Sequence, residues 1–207
     1  RSYVLYRDAR MHERAAQKQA QGAGEHTLQV TENGVTRPLD MAKLQGLIAD
    51  ACADLGDAVS AQPILEATLR DLYDGVPMAE VHKCAILAAR AHIEKEPAYS
   101  QVTARLLLNN IRHEVLGEEV THGEMITRYA EYFPRFIKKG IEAELLDPRL
   151  LQFDIELLGK ALDSSRDLQF GYLGLQTLYD RYFLHIDEQR IELPQAFFMR
   201  VAMGLAI

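Results

Sequence analysis

Leu28-Gln29-Val30-Thr31-Glu32-Asn33-Gly34-Val35-Thr36-Arg37-Pro38-Leu39 places two short runs rich in β-formers on either side of Asn33-Gly34. An Asn-Gly pair takes the positive φ angles of a two-residue turn at low cost, so the stretch predicts a short β-hairpin. Beyond it the pattern turns helical. Asp40 is placed to cap a helix whose apolar positions Leu44, Leu47, Ile48, Ala51 and Leu55 recur at helical spacing, with Gly56 to end it. Ser60, ahead of Pro63, starts a second helix carrying Ile64, Leu65, Leu69 and Leu72 and stopping near Asp74-Gly75. Pro77 opens a third through Val81, Ala85 and Ala88 to about Glu94, and Pro97 breaks it. A fourth runs from about Tyr99 through Val102, Leu106 and Ile111 to Gly117. A hairpin with four helices over residues 28–117 has the size of a compact module.

Upstream, residues 1–14 read as the end of an amphipathic helix. The stretch 15–24 is small and polar without apolar period, which reads as a linker. Downstream of a boundary at Gly117 to Thr121, helices are expected near 122–133, 135–146, 148–162 and 170–184, punctuated by Pro134 and Pro148. His185 to Glu192 reads as a polar turn or short hairpin. Aromatic residues gather here, among them Tyr129, Tyr132, Phe133, Phe136, Phe153, Phe170 and Tyr172, and their helical spacing is that of core packing rather than a stacking site. In the last segment, Ile191 to Ile207, Pro194 suits a first helical turn and Arg200 is the one charge from Ala196 onward. The segment therefore reads as a helix apolar on every face and buried all round. A guanidinium there needs a carboxylate, and Asp180 and Asp154 are the candidates. A chain that begins without methionine and ends inside such a helix reads as an internal piece of a longer protein.

The 207 residues are 48% hydrophobic and 26% charged, the balance of a folded globular protein. No apolar run reaches the roughly 18–20 residues of a membrane span, and the start lacks a signal-peptide pattern, so a cytoplasmic protein with no membrane partner is expected. Cys52 and Cys84 stand in helical patterns without metal-ligand spacing and read as buried thiols. The net charge of −7 divides into +2 for residues 1–27, −4 for 28–117 and −5 for 118–207. Nucleic-acid binding rests on many Lys and Arg contacts to phosphates, so an acidic surface argues against it, while leaving a local nucleotide pocket open. No Ser/His/Asp set, zinc spacing or Gly-rich phosphate loop is apparent, and Asp187-Glu188 looks merely solvated.

Two strings carry a family resemblance. Asp167-Leu168-Gln169-Phe170-Gly171-Tyr172-Leu173-Gly174-Leu175-Gln176-Thr177-Leu178-Tyr179-Asp180-Arg181-Tyr182-Phe183-Leu184 is followed by Ile191-Glu192-Leu193-Pro194-Gln195 and Phe198-Met199-Arg200-Val201-Ala202. At this separation they resemble the helical N-terminal domain of the large, catalytic subunit of aerobic-type ribonucleotide reductase. The hairpin and four helices at 28–117 resemble the ATP-cone that precedes that domain, above all in Tyr99-Ser100-Gln101-Val102-Thr103-Ala104-Arg105-Leu106-Leu107. Tyr3-Val4-Leu5-Tyr6-Arg7 resembles the closing helix of a preceding cone. The expected fold is mainly α: the tail of one cone plus linker over 1–27, a complete ATP-cone over 28–117, and the helical N-terminal domain over 118–207, ending before the catalytic barrel.

A nucleotide-binding cone of this family has a basic pair just before the turn glycine, a Lys in the first helix, a His in the third and basic groups near the end of the last. A triphosphate needs such donors for its three or four negative charges. Here the hairpin offers Thr31-Glu32-Asn33-Gly34, with a negative charge where phosphates would lie. Lys43 and His82 stand at matching positions, and the last helix reads Arg112-His113-Glu114. Charge-assisted hydrogen bonds contribute about 1.5–3 kcal/mol each, so losing two costs about 3–6 kcal/mol, and a loss above about 4 kcal/mol takes micromolar binding beyond millimolar. The cone is expected to be degenerate, a spacer or interaction surface, with His82 a surface or half-buried histidine. The sharper alternative is that Lys43 and His82 still hold ATP or dATP.

The resemblance implies a parent enzyme that converts ribonucleoside diphosphates to deoxyribonucleotides by radical chemistry. It implies ATP and dATP as allosteric effectors, a homo-oligomer of large subunits, a radical-storing small subunit, and a thiol reductant such as thioredoxin or glutaredoxin. The active-site cysteines lie outside this sequence, so the piece itself carries no catalytic residue and no metal. Two other classes compete: a helical interaction module, and the ATP-cone of a transcription repressor, which would carry paired C-x-x-C motifs.

Overall fold

The first hairpin forms around Gly34, whose φ is +78°. Strand β1 (Gln29–Glu32) pairs antiparallel with β2 (Val35–Pro38), Gln29 opposite Pro38 and Glu32 opposite Val35. The computed structural model describes residues 27–32 and 34–207; the helix end expected over 1–14, the linker over 15–24 and Asn33 itself lie outside the described residues. A third strand, β3 (Val76–Pro77), adds to β1 in parallel, giving the order β2-β1-β3. Two residues are too few to show a strand period, so the sequence pattern reads the same stretch as the lead into a helix.

Four helices complete this part: α1 (Met41–Cys52), α2 (Ala61–Asp71), α3 (Met78–Arg90) and α4 (Tyr99–Leu116). Asp40 caps α1, its Oδ1 accepting the Lys43 N–H at 2.9 Å. Ser60 precedes α2 as expected but makes no side-chain cap; its N–H donates instead to the Tyr99 hydroxyl at 3.0 Å. Helix α3 stops at Arg90, short of Glu94. Gly117, at φ +74°, closes α4 with its N–H on the His113 carbonyl at 2.9 Å.

Helix α4 is the spine of the molecule. Val102, Thr103, Ala104, Leu106, Leu107, Leu108 and Ile111 are buried round its circumference. Such a helix must be packed from more than one side. The hairpin and α1 to α3 cover one side, the later helices the other, and the buried apolar residues form one continuous core.

After Thr121, the two helices expected at 122–133 and 135–146 are one, α5 (Met125–Glu142), with Pro134 inside it. A proline in a helix interior removes one hydrogen bond and costs about 3 kcal/mol. The burial of Tyr129, Tyr132, Phe133, Phe136 and Ile137 on one face outweighs that cost, since each large apolar side chain contributes about 1.5–3 kcal/mol. The Ala130 carbonyl, which Pro134 leaves without its usual partner, faces Gly159 of α6 (Ile155–Lys160), where a Cβ would lie 3.1 Å from that oxygen.

The helix expected over 148–162 is two pieces, a 3₁₀ turn (Pro148–Gln152) and α6, because Asp147 and Asp154 each cap a new start through the N–H groups of Arg149 and Leu157, both at 2.9 Å. The helix expected over 170–184 is α7 (Tyr172–Arg181), preceded by a 3₁₀ segment (Ser164–Gln169). Strands β4 (His185–Ile186) and β5 (Gln189–Arg190) make the second hairpin, Asp187 at its turn having φ +53°.

Helix α8 (Pro194–Leu205) is not buried all round. Pro194, Gln195, Ala196 and Met203 are buried, whereas Phe198, Val201 and Leu205 are exposed. Its composition is apolar on every face, but one face is covered. The partner of Arg200 is also corrected: Glu192 holds it, while Asp154 caps α6 and Asp180 accepts from Gln176.

Candidate functional site

The structure brings Lys43 and His82 to one cleft. Its volume is about 770 Å³, and its walls come from α1, α3, α4 and the stretch 119–123. That is within the range of small-molecule sites, so the chemistry of the lining decides what it can hold.

Lys43 owes its place to the Asp40 cap, which sets it in the first turn of α1. Its ammonium lies 2.5 Å from Glu119 Oε2. Arg105 of α4 crosses the cleft to the end of α1, where its Nη1 donates to the carbonyls of Ala51 at 3.2 Å and Ala53 at 2.5 Å. Those carbonyls lack a partner at a helix C-terminus, so the guanidinium closes α1. Arg112 is turned away from the hairpin. It is 2% exposed, and its Nη2 donates to Asp167 Oδ2 at 2.9 Å with His122 Nδ1 at 3.4 Å. Each cation lining the cleft therefore has a partner within the chain, and Asp50, Asp54 and Glu119 balance Lys43, Arg105 and Arg112 in formal charge.

His82 is buried, not a surface or half-buried residue. It is held by the packing of α3 against α4, with its ring edge-on to His113 at 5.7 Å between centroids. Burial pushes its pKa below the ordinary histidine value and His113 adds to that, with Glu119 and Glu32 opposing. A neutral imidazole meets a phosphate weakly. Among the described residues its Nδ1 has no hydrogen-bond partner, and neither do Arg105 Nε and Arg112 Nε. All three atoms are closed off from solvent.

On the hairpin, Glu32 is bound by Arg37, and His113 Nε2 lies 3.5 Å from its other oxygen. The carboxylate that the sequence places against an incoming phosphate thus takes up the hairpin's own basic group. Asp167 is the second centre. Its Oδ1 accepts from Gln195 Nε2 at 2.9 Å, its Oδ2 from Arg112, and the Tyr129 hydroxyl donates to both oxygens at 3.1 and 3.0 Å. Burial and the Asp167 charge hold the Tyr129 phenol well above its ordinary pKa, so it remains a donor.

Glu119, Arg105 and Asp167 are the site residues that sequence reading leaves out. Glu119 lies in an irregular link and Arg105 inside a helical pattern, and no spacing rule joins either to Lys43. Asp167 opens the resemblance string, but its role depends on an arginine 55 positions away. Among the described residues no three His, Cys, Asp or Glu side chains gather as a metal site, and no helix is long and apolar enough to cross a membrane.

Residues 168–207 match the family model of the ribonucleotide reductase all-alpha domain. The chain is similar along its full length to the ribonucleoside-diphosphate reductase subunit alpha of Chlamydia muridarum, 39% identical over 213 aligned residues that cover 100% of this chain and 20% of that protein. The corresponding subunit of Helicobacter pylori is 35% identical over 182 residues, covering 86% of this chain and 22% of that protein. The large subunit of Caenorhabditis elegans is 25% identical over 152 residues, 72% of this chain and 19% of that one. The chain thus spans about a fifth of the length of the curated relatives it matches.

Proposed function

We propose that this chain, a member of the ribonucleotide reductase large-subunit family, is a regulatory and architectural part of such a subunit. In this reading residues 28–117 form an ATP-cone-type module that has lost its nucleotide, and residues 118–207 form the helical domain that carries it. The parent reduces ribonucleoside diphosphates to deoxyribonucleotides by radical chemistry in the cytoplasm. It works as an oligomer with a radical-storing small subunit and a thiol reductant, under ATP and dATP control exercised elsewhere in the polypeptide.

The observation that carries the degenerate reading is the pairing of the cleft's cations. Lys43 is met by Glu119, Arg105 by two helix-end carbonyls and Arg112 by Asp167. A triphosphate entering the cleft must displace these partners and still face Asp50, Asp54 and Glu119. Isothermal calorimetry with ATP and with dATP tests this. No heat of binding is expected at affinities tighter than about 100 micromolar, some 5.5 kcal/mol of binding free energy. Tighter binding of either nucleotide, lost in Lys43→Ala, overturns the degenerate reading and establishes a working cone.

A further inference from the structure

We propose that α4 is a rigid connector, pinned at Asp167, through which a change of charge or position at the Glu32–His113 contact on the first hairpin is felt in α8. The coupling goes beyond the regulatory and architectural role and holds whether or not the cleft takes a nucleotide.

Adjacent residues of α4 serve opposite sides of the molecule. His113 reaches Glu32 of β1 and stacks edge-on with His82 of α3. Arg112 enters the second half and meets Asp167, whose remaining acceptor capacity is taken by Tyr129 of α5 and Gln195 of α8. Neighbouring residues in a helix cannot move independently, so displacement of His113 displaces Arg112. The pin makes that displacement costly to absorb locally. Arg112 and Asp167 are 2% and 0% exposed as side chains, and separating them leaves a buried charge uncompensated. Asp167 therefore follows Arg112, and Gln195, in the first turn of α8, follows Asp167.

Two further ties keep α4 from pivoting about the pin. Near its start the Ser100 hydroxyl accepts the Tyr172 N–H at 3.1 Å, joining it to the first turn of α7. Near its end Glu114 accepts from the Arg190 N–H at 2.8 Å and the Tyr179 hydroxyl at 2.7 Å, joining it to the second hairpin and to α7. With α4 held at both ends and pinned between, the hairpin module and α8 have no soft joint between them. Such a contiguous network carries energetic coupling between its two ends.

The measurement is backbone amide chemical shifts in the ¹⁵N-labelled full chain. Glu32→Lys supplies the perturbation at the hairpin, and Gln195→Leu weakens the link, since it removes the direct bond to Asp167, leaves α8 only the longer bond of the residue 195 N–H to the Tyr129 hydroxyl at 3.3 Å, and uncovers no charge. Glu32→Lys is expected to move the amides of residues 195–198, and in the Gln195→Leu background those movements should shrink by at least about twofold, the mark of interacting sites. Shifts confined to the hairpin, α3 and α4 overturn the proposal. So do α8 shifts of equal size with and without Gln195. Should Glu32→Lys unfold the hairpin, His113→Gln perturbs the same contact more mildly and is judged by the same two outcomes.

Discussion

Glu192 and Arg200 close a charged pair over the first two turns of α8, Nε to Oε1 at 2.6 Å and Nη2 to Oε2 at 3.1 Å. Glu192 is fully buried, and its Oε2 also accepts the Leu184 N–H at 2.9 Å, so the pair ties α8 to the segment between α7 and β4. Burial raises the Glu192 pKa above the ordinary carboxylate value, with Arg200 and the Leu184 N–H pulling it back. A carboxyl whose folded pKa is raised holds its proton more tightly when folded, so stability falls as pH climbs from the unfolded pKa through the folded one.

Arg200→Met removes the main counterweight. The carboxylate is left buried without its charge partner, which costs about 3 kcal/mol where it is ionised. The loss should be small near about pH 4.5, where the protonated acid needs no partner, and large near about pH 7.5. Urea melts of both chains at the two pH values check this. An equal loss at both would show that Arg200 acts through packing on Phe197, over whose ring it lies at 5.3 Å.

His82 gives a pH dependence of the opposite sign. Its folded pKa is depressed by burial and by His113, so its contribution is present above the ordinary histidine value and lost as pH falls through the folded one. The groups around it act in both directions, Glu119 and Glu32 favouring the charged ring and Lys43 opposing it. His82→Gln removes the titration while keeping a polar side chain of similar size. The fall in melting temperature between about pH 7 and about pH 5.5 should be smaller in the variant. An unchanged fall would assign the acid sensitivity to His122 instead, whose pKa burial also lowers.

Period and turn chemistry are local, and wherever they suffice the fold is legible. Gly34 and Gly117 sit at positive φ where a hairpin turn and a helix stop are written, and Asp40 caps where an Asx precedes an apolar period. The misreadings share one cause, tertiary contact overriding a local signal. Pro134 punctuates the sequence but not the helix, because its aromatic face is buried on both sides of the proline. The all-apolar α8 implies a helix buried all round, yet composition cannot say which face meets the core. Lys43 and His82 are legible through resemblance; Glu119, the partner of Lys43, and Asp167, the partner of Arg112, are not, since only the packing of α4 between the hairpin module and the later helices brings them to the cleft.

Gly159 records the close approach of α6 to the proline-bearing helix. A Cβ there would meet the Ala130 carbonyl oxygen at 3.1 Å, with Phe133 Cβ and Pro134 Cδ both at 3.4 Å. The first obstacle is backbone and cannot rotate away. Alanine has the better helix propensity by about 1 kcal/mol, so propensity alone predicts stabilisation. Overpacking of a close contact costs about 1–3 kcal/mol, and Gly159→Ala should therefore be neutral to destabilising, with a melting temperature unchanged or lower. A raised melting temperature would mean that α6 can retreat from α5.

In the cone reading proposed above, Glu32 stands where a phosphate-binding hairpin would carry a cation, and it is bound by Arg37 and His113. Thr31→Lys with Glu32→Arg installs the missing basic pair and frees Arg37 and His113 from their carboxylate. Two new charge-assisted hydrogen bonds contribute about 1.5–3 kcal/mol each before competing costs. Lys43 remains tied to Glu119 and His82 remains neutral, so the gain is set at about tenfold or more in ATP affinity, measured by calorimetry against the unchanged chain. Absence of any gain would move the deficit from the hairpin to the cleft. Adding Glu119→Gln to the double variant then tests that location directly, because it releases Lys43 and removes a negative charge from the wall.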